Sequence, residues 1–184
     1  MRFKVLGFVT LLGVAGFGAP AMAQKTYMIA VSGGPAIPVN RFADSHGTGS
    51  AFTASLVVGV ENLPVGLRFD AMFNNFGGRS KGPGFGVFEG ADGKITAGIA
   101  NLIITFPGSR VKPYLITGGG LYGVKPDLPN IKSKNHVGFN AGLGMTFGLS
   151  RFSAFLESRY HSISRSKMDG GRLNFVPITF GIVF

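Results

Sequence analysis

From Leu173 to Phe184 the chain reads LNFVPITFGIVF, and Val176, Ile178, Phe180, Ile182 and Phe184 fall at every second position. A period of two marks a strand with one apolar face. The same signal recurs upstream. Tyr27, Ile29 and Val31 open a first strand over Lys25–Val39, loosened by Gly33-Gly34-Pro35 and Pro38. A second, Ser50–Glu61, sets Phe52, Ala54, Leu56, Val58 and Val60 on one face. A third, Val65–Phe76, sets Leu67, Phe69, Ala71 and Phe73 against Arg68, Asp70, Met72 and Asn74. The sixth, Asn135–Leu149, alternates most plainly: Val137, Phe139, Ala141, Leu143, Met145 and Phe147 against His136, Gly138, Asn140, Gly142, Gly144 and Thr146. The seventh, Arg151–Ser164, opposes Phe152, Ala154, Leu156 and Tyr160 to Ser153, Phe155, Glu157, Arg159 and His161.

Two strands are less regular. In Gly93–Phe106, Ala100, Leu102, Ile104 and Phe106 are expected on one face; Val111–Val124, interrupted by Gly118-Gly119-Gly120, assigns no face. The strands total eight, and their connectors alternate between long and short. Asn40–Gly49, Gly77–Asp92, Lys125–Lys134 and Arg165–Arg172 are polar loops, while Asn62-Leu63-Pro64, Pro107–Arg110 and the region of Ser150 are turns. An even strand count with short turns at one end and long loops at the other is the plan of a bacterial outer-membrane barrel. Pairing the last strand with the first would close the ring and leave no edge. The expected fold is therefore all-β: an eight-stranded antiparallel up-and-down transmembrane β-barrel.

Alternation cannot say which face is wet. The charged positions can. Arg68, Asp70, Glu157 and Arg159 lie mid-strand opposite the apolar face. An arginine facing lipid near the midplane costs about 2–4 kcal/mol, so in a membrane these four belong in the lumen, joined there by His161. The glycines of the sixth strand fit the same arrangement, since they leave room in a narrow interior for opposing Arg, Glu and His side chains. Tyr27, Phe52, Phe73, Phe106, Phe147, Phe152, Tyr160 and Phe184 would supply aromatic girdles.

The start of the chain is of another kind. Arg2 and Lys4 precede the apolar stretch Val5–Phe17, and Ala21-Met22-Ala23 precedes Gln24. This is the pattern of a cleaved signal peptide over residues 1–23, with a barrel domain over 24–184. The full chain of 184 residues carries a net charge of +10. Removing Arg2 and Lys4 leaves +8, which points to anionic partners. Cys is absent, and no nucleic-acid motif is present.

With the leader ending Ala21-Met22-Ala23, the strand opening Lys112-Pro113-Tyr114, the stretch Phe139-Asn140-Ala141-Gly142-Leu143-Gly144, the segment Glu157-Ser158-Arg159-Tyr160-His161 and the aromatic last strand, the chain resembles the small eight-stranded outer-membrane barrels, the OmpA-like membrane domain and OmpX-type proteins. That resemblance implies recognition of the strand ending in Phe184 by the barrel-assembly machinery.

A structural or surface-interaction role follows as the leading expectation. The lumen would be closed by ion pairs among Arg68, Asp70, Glu157, Arg159 and His161. Loop cations Arg79, Lys81, Lys132, Lys134, Arg165 and Lys167 would face lipopolysaccharide or another polyanion. Three other readings compete: a narrow pore, a lipid A-modifying enzyme, and a soluble periplasmic ligand-binding barrel. Some of the resembled proteins are lipid A deacylases with a His-x-Ser pair. Here His161 is followed by Ser162 on the opposite face, so that spacing is missing and no catalytic residue is expected. His46, His136 and His161 lack ligand spacing, and no metal or cofactor is expected.

Overall fold

The computed structural model describes residues 25–60, 63–78, 93–126, 133–149, 151–165 and 171–184. Eight strands make up nearly all of it: β1 Lys25–Val39, β2 Gly49–Val60, β3 Val65–Phe76, β4 Gly93–Thr105, β5 Val111–Pro126, β6 Lys134–Gly148, β7 Ser153–Ile163 and β8 Leu173–Val183. Each pairs antiparallel with the next, and β8 returns to β1, so the sheet is a closed barrel. The seam is fastened at its end by Ile29 and Phe184, which exchange hydrogen bonds of 2.8 and 3.1 Å. Closure gives every strand two partners, which removes the exposed edge.

Side chains follow the pleat. Leu67, Phe69 and Phe73 of β3 point outward and are exposed, while Arg68, Asp70, Met72 and Asn74 between them are buried. Leu143 is 59% exposed, and Arg159 is 3% exposed. The outer surface is thus greasy and the inside charged, the reverse of a water-soluble barrel. Phe52 and Phe73 stand directly opposite each other on the outer face of β2 and β3. The face of β4 is as expected, with Leu102 and Ile104 outward. The structure settles β5: Tyr114, Ile116 and Tyr122 turn inward, Leu115 and Leu121 outward.

Residues 40–48 are not loop throughout. They include a short helix, α1 Arg41–Ser45, whose Phe42 packs on Phe76 at a centroid distance of 4.9 Å. The sequence pattern does not mark this helix, because Phe42 is the lone large apolar side chain in a polar stretch, too little for a helical period. With Phe76, Ile95, Ile163, Leu173 and Phe175, Phe42 forms an apolar cluster inside the long-connector end of the barrel. The core therefore sits at one end of the lumen.

Three inward glycines of β6 set the shape of the interior. A Cβ on Gly138 would strike the ring of Tyr122, one on Gly142 would strike Arg159, and one on Gly144 would strike the ring of Tyr114. The room goes to one arginine, as expected, and otherwise to two tyrosines of β5 rather than to Glu or His. Large side chains on β5 and β7 need the bare β6 wall.

Candidate functional site

The middle of the lumen is built by two strands that face each other across the ring. In the order β1 to β8, β3 and β7 lie opposite. Both run the same way, being two antiparallel steps from β5. Arg68 and Asp70 sit two apart on β3, and Glu157 and Arg159 two apart on β7, so each pair shares an inward face. Because the strands are codirectional, Arg-x-Asp meets Glu-x-Arg and the signs alternate around a square.

The distances follow that design. Arg68 Nη1 and Nη2 donate to Glu157 Oε2 and Oε1, each at 2.8 Å. Arg159 Nε lies 2.8 Å from Glu157 Oε1, and its Nη1 donates to Asp70 Oδ2 at 2.7 Å. Arg68 Nε stands 3.0 Å from Asp70 Oδ1, closing the fourth side as an ion pair. Tyr114 Oη donates to Glu157 Oε2 at 2.8 Å. Asn101 Nδ2 donates to Asp70 Oδ2 at 2.9 Å, and Asn140 Nδ2 to Asn101 Oδ1 at 2.8 Å. All four charged residues are 2–4% exposed. Two cations and two anions cancel, which is the condition under which buried charge is tolerated.

His161 belongs to a different group. Its Nδ1 is 3.0 Å from Tyr122 Oη, and its ring stacks on Phe175 at 4.9 Å. It forms the lower border of the aromatic cluster and makes no hydrogen bond to either carboxylate. Ser162, next in sequence, points to the opposite face of β7, where it is buried between the neighbouring strands, paired with Phe139 and Asn174. His161 and Ser162 do not form a pair.

Of the loop cations, Arg79, Lys81, Lys132 and Lys167 lie outside the described residues. Lys134 is exposed at the start of β6. Arg165 Nε donates to the carbonyl of Gly171 at 3.1 Å, tying the two ends of the connector between β7 and β8. The outward strand ends add two cations: Lys94 of β4 and Lys125 of β5 are exposed and directly opposite one another.

Tyr114, Tyr122, Asn101 and Asn140 complete the interior, and none of them is among the lumen residues expected from sequence. Their signal was present: a polar or tyrosyl side chain inside an apolar strand, on the face shared with charge. For β5 the glycine run hid which face that was.

A closed ring of eight antiparallel strands, apolar outside and ionic inside, is the architecture of the small outer-membrane barrels. Solved structures of that class share it. The chain is similar to Neisserial surface protein A (NspA), with a TM-score of 0.61 and 18% identity over 87% of this chain and 97% of that one. It is also similar to the N-terminal β-barrel domain of Pseudomonas aeruginosa OprF, with a TM-score of 0.50 and 13% identity over 88% of this chain and all of that one. At these identities the likeness is one of fold. No sequence profile of a known protein family matches the chain, and no curated protein does.

Proposed function

We propose that this protein is a non-enzymatic outer-membrane barrel with a structural or surface-interaction role, exported by a cleaved leader and folded by the barrel-assembly machinery through its last strand. The observation that carries the proposal is the inversion of its two faces. Outward Phe69, Leu115, Leu143 and Phe180 are 47–59% exposed, while the ionic square is enclosed. In water such a surface would be a large aggregation site; against acyl chains it is stabilising.

The lumen is blocked at two levels in this reading. The ionic square spans the middle, and the cluster around Phe42, Phe76 and Phe175 fills the long-connector end. Conductance is therefore not its role. The long-connector rim meets the phosphates of lipopolysaccharide through Lys94, Lys125, Lys134 and Arg165, together with Arg79, Lys81, Lys132 and Lys167 of the connectors. Lys94 and Lys125, exposed and side by side at the outward strand ends, add to the positive charge of that rim.

Fractionation tests the proposal. The protein should sediment with the outer membrane, resist extraction without detergent, and migrate faster on gels when unheated. Recovery in the soluble periplasmic fraction would refute it.

A further inference from the structure

On the short-turn side of the ionic square the lumen is not filled. A chamber of about 340 Å³ lies at the short-turn end. Its wall is apolar, from inward Met28, Ala30, Val57, Ile103, Phe155 and Val183. Thr26, Thr105, Thr146 and Ser153, all at strand ends, place hydroxyls near its mouth, and Tyr114 with Arg68 forms its floor. The chamber is kept open in part by a missing side chain: a Cβ on inward Gly59 would meet nothing within 4 Å.

We infer that this chamber binds one small neutral molecule with an apolar body and a single hydroxyl or carbonyl group, admitted from the short-turn side. The size sets the body. A dry apolar cavity of about 150 Å³ holds a benzene ring, so roughly twice that volume takes a two-ring or comparable alkyl body. Eight strands enclose a space suited to one such ligand, and an apolar wall with a few placed polar groups is the usual make-up of a binding pocket.

Neutrality follows from the floor. Both Nη atoms of Arg68 are engaged by Glu157, and the two arginines are balanced by two carboxylates. An ionised ligand would bring an uncompensated charge into the barrel, at a high desolvation cost. The polar handle has partners. The threonine hydroxyls can donate or accept.

The site is independent of what surrounds the barrel, so it stands or falls separately from the membrane assignment. The test uses the protein in lipid nanodiscs with isotope-labelled isoleucine and valine methyl groups, titrated with naphthol. The Ile103 and Val57 methyls should shift saturably, whereas outward Val137 should follow only the lipid. Naphthalenesulfonate, of the same body but charged, should bind at least about tenfold more weakly. Gly59→Phe should weaken naphthol binding at least about tenfold by filling the chamber, and unheated migration on the same samples shows that the barrel is intact. Shifts confined to outward methyls, equal response to the sulfonate, or unchanged binding in folded Gly59→Phe would overturn the inference. If Gly59→Phe does not fold, the contrast between inward and outward methyls in the unaltered protein still decides it.

Discussion

Arg68 and Glu157, 89 residues apart in sequence, join across the barrel by two parallel hydrogen bonds of 2.8 Å. This fork-to-fork pairing is the strongest geometry available to a guanidinium and a carboxylate. It ties opposite walls of the ring, and Arg159 and Asp70 extend it into a closed circuit. Removing one corner leaves charge buried without its counterion. Glu157→Ala should lower the unfolding free energy in lipid by about 3–5 kcal/mol. Combining it with Arg68→Ala should cost less than the sum, with a coupling of about 0.5–3 kcal/mol. Denaturant titrations of the unaltered protein, the two single variants and the double variant in one lipid measure both quantities.

The glycines separate into two kinds, and substitution should tell them apart. Gly144 lies under the Tyr114 ring, so Gly144→Val must displace the residue that caps Glu157. A cost of about 1–3 kcal/mol is expected from overpacking. Gly59 faces open space, and Gly59→Ala should stay within about 0.5 kcal/mol of the unaltered protein. The same unfolding titration serves for both.

The outer face should reject charge where the turns accept it. Phe69→Arg, in the middle of β3, should cost about 2–4 kcal/mol if that face meets the bilayer core. Leu63→Arg, exposed in the turn between β2 and β3, should change stability by no more than about 0.5 kcal/mol. Equal costs at the two positions would contradict the placement.

Planar-bilayer recordings should show no conductance above background. The two levels of the lumen make a sharper statement. Arg68→Ala alone should remain silent, since Phe76 and Phe175 still fill the far end in an edge-on contact of 5.4 Å between centroids. Steady current from the unaltered protein would contradict both levels.

Most of the fold was legible because a strand with one apolar face writes its period directly into the sequence. β6 shows this best: apolar residues at odd positions meet glycine, asparagine and threonine at even ones. β5 resisted because Leu115 and Ile116, and again Leu121 and Tyr122, put apolar side chains on both faces around three glycines. The short helix at Arg41–Ser45 was invisible because it is held by Phe42 docking on Phe76, a tertiary contact, rather than by any periodic pattern. The corners of the ionic square stood out as charges on otherwise apolar strands. Which residues would complete the interior depended on pairing register. Tyr114 reaches Glu157 only because Gly144 is bare opposite it, and Asn101 reaches Asp70 because β4 sets it beside Arg68.

With apolar side chains facing lipid and the charges enclosed, the outward positions must be shielded from water. The chain has no cysteine, so single cysteines at Phe69, Leu143 and Phe180 can each carry a nitroxide without background. In liposomes, collision with oxygen and with a water-soluble nickel chelate reports which solvent each site meets. High oxygen and low nickel accessibility are expected at all three. High nickel accessibility at these positions, in protein that shows the unheated gel shift, would contradict that shielding.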